Sequence, residues 1–89
     1  QNTHMTATEI KARIESLAPG TKAELIDLTG PQDHWQAVIV SPAFNGKLLI
    51  EQHRMIFALF KEEVASNKVH ALTLKTYTPE QYERITNGR

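Results

Sequence analysis

Hydrophobic and polar residues repeat along this chain with periods that predict six secondary-structure elements. The first is a helix, because apolar residues recur four and then three positions apart, at Ile10, Ile14 and Leu17. Thr6 and Glu9 precede this stripe with the spacing of a capping box. Pro19 and Gly20 are expected to end the helix.

Two strands are predicted next, over 22–28 and 34–41. Leu25 and Ile26 would lie on opposite faces of the first strand. The residues at 29–33 are typical of a turn, so the second strand should return antiparallel. That strand places Trp35, Ala37 and Ile39 on one face and Val38 and Val40 on the other. As the most apolar strand, it is expected at the centre of the sheet.

After Pro42 the pattern predicts a tight turn and the longest helix. Asn45 and Gly46 are residues that adopt positive φ in turns. From 48 to 64 the apolar period becomes helical. The predicted inward stripe is Leu49, His53, Ile56, Phe60 and Val64, with Met55 and Leu59 beside it.

The last predicted elements are a strand over 69–75 and a helix. Thr78 is suited to cap this helix and Pro79 to begin it, with Tyr82 and Ile85 as its inward contacts. The resulting order is α-β-β-α-β-α. It predicts an α+β domain, an α/β sandwich in which helices pack on one mixed three-stranded sheet.

Length and composition fit one small globular domain. The chain has 89 residues, of which 40% are hydrophobic and 22% charged, and this excludes a disordered chain. We interpret residues 1–5 as a cloning remnant ending in the initiator Met5, 6–86 as the domain and 87–89 as a short tail. Because no apolar run approaches the roughly 18 residues of a membrane span, we expect a cytoplasmic or organelle-matrix protein.

Charge and cysteine content limit the kinds of metal and catalytic site that this chain could form. Ten basic residues balance ten acidic ones, and there is no cysteine. Metal chemistry would therefore use histidine and carboxylates, or sulfur from a partner. No phosphate loop, nucleophile signature or His pair at i, i+4 is present. Glu62 and Glu63 are adjacent, as on a solvated helix, so we predict that the protein is not an enzyme.

Three histidines are candidates for metal binding or for structural packing. His70 shares a strand face with Leu72 and Leu74, His34 opens the second strand, and His53 lies in the long helix beside Arg54. No spacing among them forms a zinc motif. On local sequence alone, each is more typical of a side chain that packs against the protein than of a ligand.

Basic side chains near the long helix are the candidates for nucleic-acid binding. Lys47, Arg54 and Lys61 lie in or before this helix, but Glu51 and Glu62 share the segment. A chain of zero net charge offers little of the phosphate neutralisation that supplies non-specific affinity. A mixed, solvated surface is the alternative interpretation.

Four segments together resemble the BolA family: VSPAFNGK at 40–47, QHR at 52–54, VHAL at 69–72 and KTYTPEQY at 75–82. The resemblance implies a fold similar to class II KH domains, with a helix-turn-helix. It also implies pairing with a monothiol glutaredoxin. The two proteins would share a 2Fe–2S cluster held by the glutaredoxin cysteine, glutathione and nitrogen from this chain.

The same resemblance assigns roles to individual residues. It implies that His70 binds iron, with His34 as the weaker candidate for a second ligand, and it places His53 and Arg54 at the partner surface. Gln52 departs from the family, which often has Arg there, and this puts a charge-based role of that turn in doubt. The family is tied to iron–sulfur trafficking and iron regulation.

Two other functions and a self-association are retained as alternatives. Some bacterial family members are DNA-binding regulators, and that role would use Lys47, Arg54 and Lys61. A protein-binding module in which the histidines only pack is the third function. A weak homodimer of the free protein is a further candidate assembly.

Overall fold

The computed structural model describes residues 6–28, 34–62 and 71–87, and its elements follow the predicted order. They are helix α1 (Ala7–Glu15), strand β1 (Lys22–Asp27), strand β2 (His34–Val40), a 3-10 helix (Pro42–Phe44), helix α2 (Leu49–Leu59), strand β3 (Ala71–Tyr77) and helix α3 (Pro79–Asn87). Several predictions lie outside the described residues: the remnant at 1–5, the turn at 29–33, the solvated position of Glu63, the inward position of Val64, the start of the third strand at 69–70 and the ligand role of His70.

The three strands form one mixed sheet in the order β1-β2-β3. β1 pairs antiparallel with β2, with Lys22 opposite Val40. β2 pairs parallel with β3, with His34 opposite Ala71. The predicted antiparallel return, the central position of β2 and the α+β architecture are therefore confirmed.

One face of the sheet packs against α1 and α2. The buried apolar side chains form a single cluster: Ile10, Ile14, Ala23, Trp35, Ala37, Ile39, Phe44, Ile56, Phe60 and Leu74. On the opposite face Val38 and Val40 are only half-buried, and they line an open groove of about 1000 Å³ beside α3. The predicted alternation of β2 between an apolar inner and a second outer face is confirmed.

Helix α1 begins as predicted and ends early. The Thr6 side chain accepts from the Glu9 amide and the Glu9 carboxylate accepts from the Thr6 amide, which completes the capping box. The helix ends at Glu15 because Ser16 bonds back: its hydroxyl donates to the Arg13 carbonyl over 2.6 Å. Gly20 then turns the chain at φ +85°.

Helix α2 is the longest described helix, with 11 residues. The prediction that it continues past 59 is wrong for Phe60, whose φ of −117° lies outside the helical region. Arg13 secures this end, since its guanidinium donates to the Leu59 carbonyl over 2.8 Å and lies 5.5 Å from the centre of the Phe60 ring. Within the described ranges, no helix combines the length and apolarity needed to cross a bilayer.

Strand β3 extends further than predicted, to Tyr77, because its parallel pairing with β2 continues to Val40. Thr78 then opens α3 as predicted: its hydroxyl accepts from the Gln81 amide, and the Gln81 side chain accepts from the Thr78 amide. The end of β3 and the start of α3 are thus joined without a loop.

The predicted inward contacts of α3 are wrong. Tyr82 is 36% exposed and Ile85 44% exposed, and α3 has no buried residue. The reason is that α3 stands beside the sheet rather than on it. The Tyr82 ring packs against the Tyr77 ring with centroids 5.8 Å apart, and the groove at Val38 and Val40 stays open.

Two side chains of α1 cover the outer edge of β1 at Ala23. Glu15 Oε2 accepts from the Ala23 amide over 3.1 Å, and Lys11 Nζ donates to the Ala23 carbonyl over 2.7 Å. Lys11 Nζ also lies 3.1 Å from Glu15 Oε2. The Ala23 amide, followed by Lys11, holds the pKa of Glu15 below its ordinary value, and Lys22 acts in the same direction.

This arrangement predicts an acid-dependent loss of stability. Because the native pKa of Glu15 is depressed, its ionised form stabilises the fold above the unfolded-state value of about 4.3, and that contribution is lost as the pH falls through the native pKa. We expect Glu15→Gln to be less stable than the wild type at neutral pH and to approach it in acid. Urea unfolding at several pH values measures this, and a constant difference would contradict it.

Candidate functional site

The amino ends of β2 and β3 lie side by side. His34 is the first residue of β2 and is exposed, and it is in register with Ala71, the first residue of β3. The His34 carbonyl accepts from the Leu28 amide over 2.9 Å, which fixes the end of the β1-β2 pairing. Ala71 directly follows His70 in the sequence. His34 therefore lies at the end of the sheet where β3 begins, and His70 itself lies outside the described residues.

Because side chains alternate along a strand, His34 and His70 are assigned to opposite faces of the sheet. Trp35 is in register with Leu72, and both lie on the face that α1 and α2 cover. His34 precedes Trp35 and so lies on the opposite, open face. The sequence prediction puts His70 on the face of Leu72. If both histidines bound one metal, one side chain would have to reach around the end of the sheet.

The described residues hold no complete metal site. Within 6–28, 34–62 and 71–87, no three His, Cys, Asp or Glu side chains are grouped so that they could hold an ion. His34 is the predicted ligand that lies within these ranges, and its ligand role stays a prediction.

At the opposite end of the sheet, the chain turns sharply before α2. The Ser41 hydroxyl accepts from the Ala43 amide and begins the 3-10 helix. Phe44 is fully buried and anchors the turn. Gly46 has φ +75°, as predicted, whereas Asn45 has φ −59°, so the prediction of positive φ is wrong for Asn45. Lys47 follows and is exposed.

Gln52 fixes this turn to the sheet from inside the protein. Its side chain is buried, and its amide nitrogen donates to the Lys47 carbonyl over 3.0 Å and, more weakly, to the Phe44 carbonyl over 3.4 Å. Its oxygen accepts from the Thr76 hydroxyl over 2.6 Å. Gln52 is thus a neutral side chain whose amide nitrogen and oxygen are both hydrogen-bonded inside the protein. Sequence reasoning missed this role, although Gln52 lies four residues before the buried Ile56.

The inward stripe of α2 accordingly differs from the prediction. It runs through Gln52, Ile56 and Phe60, all buried, whereas Leu49 is 61% exposed. Leu49 is the first residue of α2, and the buried position nearest the turn is taken by Gln52. His53 is half-buried rather than a core residue.

The surface of α2 that faces away from the core is apolar with a basic border. We define the α2 outer face as Leu49, Ile50, His53, Arg54 and Phe57. Its three apolar members are between 40% and 61% exposed, and the preceding Leu48 is 68% exposed. Arg54 and the nearby Lys47 and Lys61 are exposed as well. An exposed patch of this kind is typical of a surface that binds another molecule.

Within the α2 outer face, His53 carries an unsatisfied polar atom. Its Nε2 is buried and has no hydrogen-bond partner in the structure. A buried nitrogen of this kind normally has a partner, and an incoming group at this surface could bond to it only if the His53 side chain moved outward. The structure thus places the predicted partner residues His53 and Arg54 on one surface. Both are well separated from His70 in the sequence.

The comparison with known proteins agrees with this fold. The model of the BolA-like protein family matches residues 2–81. A curated relative, the DNA-binding transcriptional regulator BolA of Escherichia coli, is 43% identical over 56 residues, which cover 63% of this chain. The match spans 52% of that relative, about half of its length.

Two solved structures are similar over most of the chain. A BolA protein homologue from Coxiella burnetii has a TM-score of 0.71 and 35% identity, covering 90% of this chain and 99% of that one. The BolA domain of SufE1 from Arabidopsis thaliana has a TM-score of 0.71 and 31% identity, covering 82% and 91%.

The role of Gln52 predicts a specific stability effect. Gln52→Ala removes the partners of the Thr76 hydroxyl and the Lys47 carbonyl, so the free energy of unfolding should fall by about 2 kcal/mol. Gln36→Ala is the control, because Gln36 is half-buried on the open face of β2. Urea denaturation measures both variants, and equal losses would contradict the proposed role of Gln52.

The resemblance found in the four sequence segments is therefore confirmed by the family model, which covers most of the chain, and by the shared fold of the solved structures: this chain belongs to the BolA-like family.

Proposed function

We propose that this protein is a non-enzymatic adaptor that binds a monothiol glutaredoxin and shares a 2Fe–2S cluster with it. The observation that carries the proposal is the absence of cysteine from a BolA-like chain that has histidines, one of which, His34, opens β2 beside the start of β3. Such a chain can offer imidazole but no thiolate. A complete cluster then requires sulfur from a partner.

The donor groups that this chain can offer suit a shared cluster, because it contains histidine and no cysteine. His70 would supply one imidazole, and His34 is the weaker candidate for a second. The glutaredoxin cysteine and glutathione would supply the thiolates. Imidazole ligation in place of thiolate raises the reduction potential of a cluster.

The α2 outer face supports a second contact with the partner. Its exposed Leu49, Ile50 and Phe57 provide apolar area, while Arg54 provides charge and His53 an unsatisfied nitrogen. Apolar residues with an Arg at their border are common in protein interfaces. Partner binding and cluster ligation would thus use different residues.

A first experiment separates these two roles. When the protein is titrated into cluster-loaded monothiol glutaredoxin, the visible circular dichroism spectrum should change and saturate at a ratio of about one to one. His70→Ala should abolish the new spectrum, since one iron loses its imidazole. His53→Ala with Arg54→Ala should instead shift the titration to higher concentration without changing the final spectrum.

The control variant is His4→Ala, which removes a histidine from the segment interpreted as a cloning remnant. It should behave as the unmodified protein does. An unchanged spectrum with His70→Ala would contradict the ligand assignment. A protein-binding module in which the histidines only pack predicts that complex formation survives every histidine substitution and that no iron signal appears.

The second candidate function is binding of DNA by the α2 region. It is favoured by the exposure of Lys47, Arg54 and Lys61 along one stretch of chain and by similarity to the Escherichia coli relative, a DNA-binding transcriptional regulator. It is opposed by the exposed Glu51 and Glu62 in the same stretch and by zero net charge.

This alternative makes its own quantitative prediction. Each of Lys47→Ala, Arg54→Ala and Lys61→Ala should weaken DNA binding and reduce the slope of log affinity against log salt by about one. Lys75→Ala, on the open face of β3, is the control and should leave the slope unchanged. Fluorescence anisotropy at several salt concentrations measures it. No binding at physiological ionic strength would exclude this function.

A further inference from the structure

The outer edge of β1 is where the sheet could accept another strand. Among the strands that the structure describes, β1 pairs with β2 alone, so it is an edge strand of this sheet. Antiparallel pairing turns the backbone groups of alternate residues outward. The amide and the carbonyl of Ala23 point toward α1, since both form hydrogen bonds with side chains of that helix. The same alternation makes Leu25 the next outward position. Such unpaired edges are templates for strand addition by another chain.

The Lys11–Glu15 pair imitates a neighbouring strand at Ala23. A neighbouring strand would offer a carbonyl oxygen to the Ala23 amide and an amide to the Ala23 carbonyl. Glu15 Oε2 takes the place of that carbonyl at 3.1 Å, and Lys11 Nζ takes the place of that amide at 2.7 Å. The two side chains also form an ion pair, so each holds the other in position. Both hydrogen-bonding groups of Ala23 are therefore occupied by the protein's own helix.

We propose that the Lys11–Glu15 pair is an autoinhibitory contact that prevents β1 from pairing with β1 of a second copy of this chain. The contact keeps the protein monomeric as long as both side chains remain on Ala23. Its loss would give the candidate homodimer a defined interface. The proposal is independent of glutaredoxin, the cluster and DNA.

Symmetry explains why a second copy is the expected occupant. Two identical edge strands can pair antiparallel about a twofold axis, which makes the interface self-complementary. With the axis at Leu25, Leu25 faces its own equivalent, and Ala23 of each copy faces position 27 of the other. Because Lys11 and Glu15 occupy Ala23 in both copies, they prevent pairing at two positions of every such dimer. The central pairing of Leu25 with its equivalent is not blocked by them.

The side chains along this edge would gain from being covered. Ile26 is 42% exposed and Leu28 51% exposed, and both lie on the open face of the sheet beside this edge. Pairing of two β1 strands would remove part of this apolar surface from water.

The chain contains a matched control pair. Glu80 and Arg84 in α3 also form an ion pair across one helical turn, at 3.4 Å. Their side chains are 79% and 71% exposed, and the structure shows them bonded to no strand edge. Removing either pair by alanine substitution leaves the net charge at zero and retains a good helix former.

The test is sedimentation velocity of the full chain over a wide range of concentration. Lys11→Ala with Glu15→Ala should dimerise with an association constant about tenfold or more above that of the wild type. Glu80→Ala with Arg84→Ala should sediment like the wild type. Glu15→Gln should also remain closer to the wild type, because its amide oxygen can still accept from the Ala23 amide.

Backbone NMR locates the contact and checks that the fold is retained. In the Lys11→Ala, Glu15→Ala variant, shifts that change with concentration should be confined to β1 and the α1 residues that cover it, and the Ala23 amide should be protected from exchange only at high concentration. A folded variant that stays monomeric would overturn the proposal. Dimerisation with changes confined to the α2 outer face would overturn it as well.

Discussion

The parallel pairing of β2 with β3 is the constraint on which the rest of the structure depends. Two consecutive parallel strands cannot be joined by a tight turn, so the chain after β2 must return along one face of the sheet before β3 begins. That return carries the 3-10 helix and α2. It covers the inner face with Ile56 and Phe60, whereas Val38 and Val40 on the outer face stay half-buried in an open groove beside α3.

The same constraint places the candidate functional residues near two different ends of one sheet. The carboxyl end of β2 leads into the turn with Lys47 and the α2 outer face, and the amino ends of β2 and β3 carry His34 and the position after His70. Under the proposed function, partner recognition and iron ligation would therefore use different residues of this 89-residue chain.

Buried polar groups hold the carboxyl end of the sheet together. The Thr21 and Ser41 hydroxyls are 2.8 Å apart in the core, and the Ser41 amide donates to the Tyr77 carbonyl over 3.1 Å. Gln52 and Thr76 form the second pair of this kind. Because buried polar groups are costly when unpaired, these bonds specify one arrangement of the turn more strictly than apolar packing alone would.

Local patterns predicted the elements, and long-range geometry decided the rest. Capping by Thr6 and Thr78 depends on residues a few positions away, so the sequence was sufficient for it. The exposure of Tyr82 depends on whether a surface lies opposite α3, which amphipathic spacing does not encode. The same holds for Gln52, whose partners lie in the turn and in β3. His34 and the start of β3 become neighbours only through the register of the sheet.

The position of α3 bears on how this domain can change during evolution. The core is closed without any side chain from Pro79–Asn87, and the one described aromatic contact of this helix is with Tyr77. Substitutions, extensions or a joined domain at this end therefore disturb few buried contacts and cost little folding free energy. The carboxyl-terminal helix is thus the part of the domain most free to diverge while the sheet and its two ends are retained.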